Sequence, residues 1–251
     1  MNIGCAITKK HWIVRFVGLA IFLHFFTVFE VNAVDQKISP TVYLDGDVAR
    51  YEGRITSSGN LRLASLLSEY DGIQWLEIES VGGEVDQGMD LGEIVFANNL
   101  NVRVIGRGCA SSCANYVFVA GKKKEIASGA LLVWHGSAHQ ENFGLEIERV
   151  VLSLPEEERP KARAELAQVF SKKRAREVAF YRQAGVDMRV AIFGHQVSCR
   201  CAWTLSVADM ESFGIRDVVT AADYPALPES QVRKGLRLLN LSDYPNYEIR
   251  K

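Results

Sequence analysis

The chain has no surplus of charge of either sign. Its 29 Lys and Arg residues nearly balance its 30 Asp and Glu residues, which leaves a formal net charge of −1. Proteins that bind nucleic acid through its phosphates carry a basic surplus, so this composition gives no support to a nucleic-acid partner. The chain also lacks internal repeats, low-complexity linkers and an ATP-binding motif, which argues against a repeat architecture and against a built-in ATPase.

The first 33 residues differ in character from the rest. Basic residues near the start are followed by the apolar run 16–29 and by Val31-Asn32-Ala33. This order is typical of a secretory signal peptide that is cut after Ala33, and the apolar run is shorter than the roughly 20 residues that cross a bilayer. The alternative is an uncleaved membrane anchor, because Ile13 and Val14 lengthen the run. Both interpretations put residues 34–251, as a single domain, outside the cytoplasm, either periplasmic or secreted.

Four of the five cysteines lie in residues 34–251, namely Cys109, Cys113, Cys199 and Cys201. An even number of cysteines in an exported protein favours disulfides. A zinc site built from the Cys-x-x-x-Cys and Cys-x-Cys spacings is the alternative. A redox-active pair at Cys109 and Cys113 is a further one.

Strand and helix patterns alternate along the middle of the chain. Strand-like runs occur at 42–44, 48–51, 75–78, 102–105 and 131–134, with helical spacing at 61–70, 86–98 and 114–120. This alternation predicts an α/β fold with a mainly parallel sheet, flanked by helices and joined by right-handed crossovers. The sequence also predicts that Gly106 to Gly108 end a strand, that 156–184 is a polar helix, and that 205–219 forms a helix and a last strand.

Three predicted strands end in residues that suit chemistry at the carboxyl edge of a parallel sheet. Gly82-Gly83 lets the backbone turn and leave N–H groups open to an oxyanion, or is a plain turn. Ser111 and Ser112 precede a helix, whose N-terminus favours negative charge, or they cap that helix. His135 closes a strand and can act as a general base, or it satisfies a local hydrogen bond.

The order of these features resembles the proteolytic subunit of Clp proteases, within the ClpP/crotonase superfamily. Clp subunits carry Ser-Pro-Gly-Gly where this chain has Ser80-Val81-Gly82-Gly83, and Gly-Gln-Ala-Ala-Ser where it has Gly108-Cys109-Ala110-Ser111-Ser112. The helix that follows ends in Ala120-Gly121, as in the family, and 205–217 is similar to the family's C-terminal motif. The likeness covers most of 48–220, with 140–198 only loosely matched, and implies stacked βα(ββα) units.

The resemblance implies a serine peptidase site. Ser112 is implied as the nucleophile, with Ser111 left open, and His135 as the general base. The oxyanion hole is implied at the N–H groups of Gly82 or Gly83 and of Cys113. The family's triad Asp falls on Ala202, so the third member is Asp187, which follows His135 at a suitable distance, or an unidentified group, or none.

The same resemblance implies partners and a way of holding the site. It implies a peptide or protein substrate, no cofactor, and a homo-oligomer formed through 156–184, which corresponds to the ring-contact helix of the family. No ATPase partner is expected outside the cytoplasm. Disulfides that link Cys109 and Cys113 to Cys199 and Cys201 would fasten the serine turn to the C-terminal segment. One alternative is a non-catalytic binding or scaffold protein, which the missing acid at Ala202 favours. Another is acyl-CoA chemistry, which the predicted export disfavours because CoA is a cytoplasmic cofactor.

Overall fold

The computed structural model describes residues 39–140, 143–199 and 201–247. The predicted signal peptide, residues 1–33, lies outside these ranges. The chain groups into a larger unit of residues 37–141 and 167–251 and a smaller one, of which 143–166 are described. The predicted single domain over 34–251 stays a prediction.

Nine strands and eight helices are found in the described ranges. The strands are β1 (Thr41–Asp45), β2 (Val48–Glu52), β3 (Trp75–Ser80), β4 (Asn101–Ala110), β5 (Lys124–Ile126), β6 (Leu131–Val133), β7 (Ala202–Thr204), β8 (Val218–Thr220) and β9 (Leu236–Leu238). The helices are α1 (Ser57–Glu69), α2 (Val85–Ala97), the π-helical α3 (Cys113–Phe118), α4 (Phe143–Leu152), α5 (Arg159–Ala184), α6 (Phe193–Gln196), α7 (Val207–Ser212) and α8 (Glu229–Arg233). Short 3₁₀ turns occur at Glu156–Glu158, Met188–Ala191 and Leu241–Asp243.

The main sheet of the larger unit is mostly parallel. Its strands run in the order β1-β2-β3-β4-β5-β8, and β6 pairs with β4 off this path. Only β1 and β2 are antiparallel, and all other pairs in this sheet are parallel. The predicted α/β class, a mainly parallel sheet flanked by helices, is therefore confirmed.

Alternation along the strands separates an apolar face of the sheet from a charged one. On β3 and β4, Leu76, Ile78, Val102 and Val104 are fully buried. The intervening positions are aligned in register as Arg50, Glu77, Arg103 and Glu125 on four neighbouring strands. Glu77 receives Arg50 Nη2 at 3.0 Å and Arg103 Nη1 at 2.6 Å. Opposite charges directly across a sheet stabilise the pairing, so this ladder favours one register.

Strand β4 is longer than predicted, and the expectation that Gly106 to Gly108 end it is wrong. The strand continues to Ala110, pairing with β5 at 102–104 and with β6 at 108–110. Against β3 the register shifts, because Ile78 pairs with Val104 but Ser80 pairs with Cys109. Gly106 and Gly108 have φ values of 57° and 124°, and glycine in such conformations lets a strand bulge instead of ending.

A second, two-stranded sheet connects the C-terminal part to β6. In it β7 and β9 are parallel. Trp203 of β7 forms an antiparallel bridge with Trp134, with both main-chain hydrogen bonds at 2.8 Å. Both tryptophans are fully buried. This bridge fixes the residue directly before His135.

The smaller unit contains α4 and the start of α5. Within it, Arg163 Nε donates to Glu148 at 3.0 Å, and Arg159 Nε donates to the Leu154 carbonyl at 3.0 Å. The predicted polar helix over 156–184 is confirmed as a 3₁₀ turn followed by α5. Across the described ranges, no helix combines the length and the hydrophobicity needed to cross a membrane.

We expect Gly108→Ala to destabilise the protein more than Gly129→Ala. Both glycines have positive φ, 124° and 75°, and such strain costs alanine about 1–3 kcal/mol. A Cβ at Gly108 would also overlap the Leu131 carbonyl oxygen, whereas nothing lies within 4 Å of one at Gly129. Overpacking of this kind adds about 1–3 kcal/mol. Urea denaturation measures both variants, and equal free energies of unfolding would contradict the close approach of β4 and β6.

Candidate functional site

The glycine turn after β3 packs directly on the serine turn after β4. Gly82 has a φ of 90°, and a Cβ there would lie 2.6 Å from the Ala110 oxygen and 2.8 Å from Ser111 Cβ. The Gly82 N–H donates to Ser80 Oγ at 3.0 Å, and its carbonyl accepts from the Ile55 N–H at 2.9 Å. Only a residue without a side chain fits this contact, which explains why glycine occupies position 82.

The serine turn is strained and tied to both neighbouring strand ends. Ser111 has a φ of 59°, which is uncommon for a residue other than glycine. Its N–H donates to the Val133 carbonyl at 2.9 Å. Ser112 is buried, and its Oγ donates to the Gly83 carbonyl at 2.7 Å. Ser112 makes no side-chain cap on α3, so capping does not account for it.

The N-terminus of α3 offers a main-chain donor beside Ser112. Cys113 is the first residue of α3, and the first N–H groups of a helix have no partner within it. Because the Gly82 N–H is already donated to Ser80, the Gly83 N–H is the better second donor of the predicted pair. Two such N–H groups could stabilise an oxyanion formed next to Ser112.

His135 follows β6, on the strand next to the end of β4. Asn115 Nδ2 of α3 donates to the Gly136 carbonyl at 3.0 Å. With the Ser111–Val133 bond, this holds the His135 loop and the Ser112 turn side by side. The structure brings these two residues to adjacent strand ends, but Ser112 Oγ is bonded to Gly83 and not to the imidazole.

The electrostatic surroundings of His135 favour its neutral form. Its side chain is solvent-exposed, yet desolvation by the protein packed around it lowers the pKa of His135 below its usual value. The like charge of His195 lowers this pKa further, whereas a bond to its own main chain acts in the opposite direction. An imidazole that is neutral near pH 7 can accept a proton, as a general base must.

No carboxylate is brought to His135 within the described ranges. Asp187 caps the 3₁₀ turn 188–191, and it accepts from the Arg189 N–H at 2.9 Å and from Arg189 Nε at 3.0 Å. Ala202 begins β7. The residue that does reach His135 is His195, whose Nε2 lies 2.9 Å from the His135 carbonyl oxygen. Sequence reasoning missed His195, because it lies in the loosely matched segment.

The cysteines form two local pairs. Cys109 is bonded to Cys113, with Cα atoms 5.3 Å apart, and Cys199 to Cys201, with Cα atoms 5.2 Å apart. The expected bonds between the two pairs are therefore wrong, because each cysteine already lies within disulfide range of its neighbour in the same turn. The Cys109–Cys113 bond is buried and encloses Ser112, and a loop of five residues is worth about 2 kcal/mol in chain entropy. No group of His, Cys, Asp and Glu in the described part is arranged for a metal.

A buried carboxylate on α5 contacts the two segments that follow Ser112 and His135. Glu177 is fully buried and accepts from the Tyr116 hydroxyl of α3 at 2.7 Å, and His139 Nε2 lies 3.8 Å from its other oxygen. Burial raises the pKa of Glu177, while Tyr116 and His139 act in the opposite direction. Glu177 thus joins α5 to α3 and to the loop after His135. Sequence reasoning missed it, because it lies in a helix rich in solvated charges.

The middle of the chain matches a known protein family. Residues 60–178, which include the glycine turn, Ser112 and His135, match the Clp protease family. This match confirms the predicted resemblance of this part of the chain to Clp proteases. None of the curated proteins compared with the chain matches it.

Two solved structures are similar to the chain at low identity. A point mutant of ClpP1 from Listeria monocytogenes is 17% identical, with 70% of this chain and 93% of that chain covered and a TM-score of 0.38. A serine-to-alanine mutant of the membrane-bound stomatin-specific protease 1510-N is 15% identical, with 76% and 95% covered and a TM-score of 0.39.

We expect Glu177→Ala to lower the free energy of unfolding by about 1–3 kcal/mol, because the buried Tyr116 hydroxyl loses its acceptor. Glu177→Gln should cost much less, because its amide oxygen still accepts from Tyr116. Since the pKa of Glu177 is raised by folding, native stability should fall as pH rises through that pKa, and Gln should remove this dependence. Urea denaturation across pH measures both effects.

The matched control is Glu165→Ala, at a half-exposed position of the same helix whose carboxylate pairs only with Lys161 in the described residues. Surface pairs of this kind contribute about 0–1 kcal/mol. A loss at Glu177→Ala no larger than that of the control would contradict an anchoring role for Glu177.

Proposed function

We propose that the protein is an exported serine peptidase with Ser112 as nucleophile and His135 as general base. The observation that carries this proposal is that three strand ends meet at Ser112. Ser112 Oγ donates to the Gly83 carbonyl of the glycine turn at 2.7 Å. Ser111 and Asn115, on either side of Ser112, donate to the carbonyls of Val133 and Gly136, which flank His135. The family match over 60–178 spans all of these residues. A peptide or protein is the substrate that this family implies.

The proposed reaction needs few parts. Ser112 Oγ attacks the carbonyl carbon of the scissile peptide bond as its proton passes to His135. The N–H groups of Gly83 and Cys113 stabilise the oxyanion, and loss of one such donor typically costs about 10²–10³ in rate. His135 then gives the proton to the leaving amine, and water hydrolyses the acyl-enzyme with the same base.

One rearrangement must precede this chemistry. Ser112 Oγ donates to the Gly83 carbonyl in the described state, so the hydroxyl must rotate toward the His135 side before it can give up its proton. A substrate strand seated between the two turns would supply the reason to rotate, since its carbonyl carbon would occupy the space next to Oγ. Catalytic hydrogen bonds are often formed only in the substrate complex.

The second candidate function is a catalytically inactive ClpP-like binding or scaffold protein. The observations that favour it are the resting Ser112–Gly83 bond and the engagement of Asp187 with Arg189, together with Ala202 at the family's acid position. Under this hypothesis the buried serine serves to join the two turns. It predicts that Ser112→Ala and His135→Ala leave cellular function intact.

A fluorophosphonate probe separates the two hypotheses. Such probes react with a serine only when a base activates it, so we expect the native protein to be labelled, Ser112→Ala to lose all labelling and His135→Ala to lose most of it. The measurement is the labelled fraction by intact-protein mass spectrometry.

The matched control is Ser111→Ala, which removes the neighbouring hydroxyl and leaves Ser112 in place. Labelling that disappears in Ser111→Ala and persists in Ser112→Ala would assign the nucleophile to Ser111. Absence of labelling of the native protein would favour the scaffold function.

A further inference from the structure

A histidine outside the predicted site holds the main chain of His135. His195 lies on α6, and its Nε2 is 2.9 Å from the His135 carbonyl oxygen. A carbonyl oxygen can only accept a hydrogen bond, so Nε2 must carry a hydrogen and act as the donor. The bond therefore fixes the tautomer of a neutral His195, and it persists when His195 is protonated.

The position of His195 is built by tight packing. A Cβ at Gly194 would overlap the ring of Trp203, and the His195 ring meets the same tryptophan edge-on with centroids 5.8 Å apart. Trp203 is bridged through its main chain to Trp134, the residue before His135. The tryptophan that His195 packs against is therefore bonded to the residue directly before His135.

The backbone after His135 depends on the same contact. Gly136 has a φ of 134°, and a Cβ there would lie 2.9 Å from His195 Nε2 and would overlap the Gln140 side chain. The two polar side chains therefore fill the space that a larger residue at position 136 would need. Removing the His195 donor would leave the peptide bond between His135 and Gly136 without this hydrogen bond.

We propose that His195 is the positioning residue for His135, which it orients through the main-chain carbonyl in the absence of a contacting acid. This inference rests on the proposed function of Ser112 and His135. A triad acid orients the base through its ring nitrogen, whereas His195 acts through the main-chain carbonyl. Among the residues that the structure describes, no carboxylate contacts the ring nitrogens of His135.

The other charged groups on the elements packed around this pair are engaged elsewhere. Asp187 and Arg189 pair with each other, and the Arg189 guanidinium lies over the Tyr247 ring. Tyr247 itself donates to Gln196, next to His195. In the loop after His135, His139 faces Glu177 and the Arg174 carbonyl.

Desolvation is the main cause that lowers the pKa of His135, and the like charge of His195 lowers it further. Both causes favour a neutral imidazole that can accept a proton. The acidic limb of the rate profile should follow the pKa of His135, and activity should be lost as pH drops through that lowered value.

The test follows the His135 ring by NMR titration in the full chain carrying Ser112→Ala, with its signal assigned by His135→Gln. We expect the pKa of His135 to rise toward its usual value in both His195→Phe and His195→Gln, because both remove the like charge.

The kinetics are measured in the protein that keeps Ser112. There kcat should fall about tenfold in His195→Phe, less than the 10²–10⁴-fold that a whole general base contributes. His195→Gln, which keeps a donor, should retain most of kcat, and KM should change little in either variant.

The matched control is His139→Gln, which removes a histidine from the same neighbourhood without touching the His135 carbonyl and should leave the His135 titration unchanged. A His135 pKa that is the same with His195 and with Phe at position 195 would overturn the inference, as would equal losses of kcat in the Phe and Gln variants. If the native protein turns over no peptide, the proposed function fails, and the NMR titration decides separately whether His195 acts on His135.

Discussion

Everything at the candidate site depends on β4 pairing with two different strands along its length. Its first half pairs with β5 and its second half with β6, and the glycine bulge between them makes the change of partner possible. If β4 ended at Gly106, Ser112 would follow a loop, and no hydrogen bond would fix it beside the end of β6. The bulge thus aligns Ser112 with His135, the two residues that the proposed reaction needs.

Buried polar groups then hold the helices to this sheet. Glu177 on α5 accepts a hydrogen bond from Tyr116 on α3, one turn after Ser112. Asn115, also on α3, donates to the Gly136 carbonyl. A buried carboxylate is costly unless it is satisfied, so these contacts specify one packing of α5 against α3 over many near-equivalent ones. The site is accordingly supported by buried side chains on two helices, α3 and α5.

Much of this was predictable where the information was local. The alternation of strand-like and helical patterns along the chain predicted the mainly parallel sheet, because strands joined by helical crossovers run parallel. Gly82-Gly83, Ser112 and His135 were found from strand ends and motif order. The continuation of β4 was not predictable, because a glycine breaks or bulges a strand according to its partner. Glu177 and His195 were missed because burial in a polar helix and a contact to a carbonyl leave no mark on spacing.

The enclosed disulfide has a consequence for biogenesis. Cys109 and Cys113 are both buried, the first at 1% exposure and the second at 0%. Thiol–disulfide exchange requires an attacking thiolate to reach a sulfur, and the closed fold gives it no route. The two thiols must therefore meet their oxidant while the chain is still open, so that the order of events is oxidation first and closure of the serine turn afterwards. A mature molecule would then keep this bond under reducing conditions that open the more accessible Cys199–Cys201 pair.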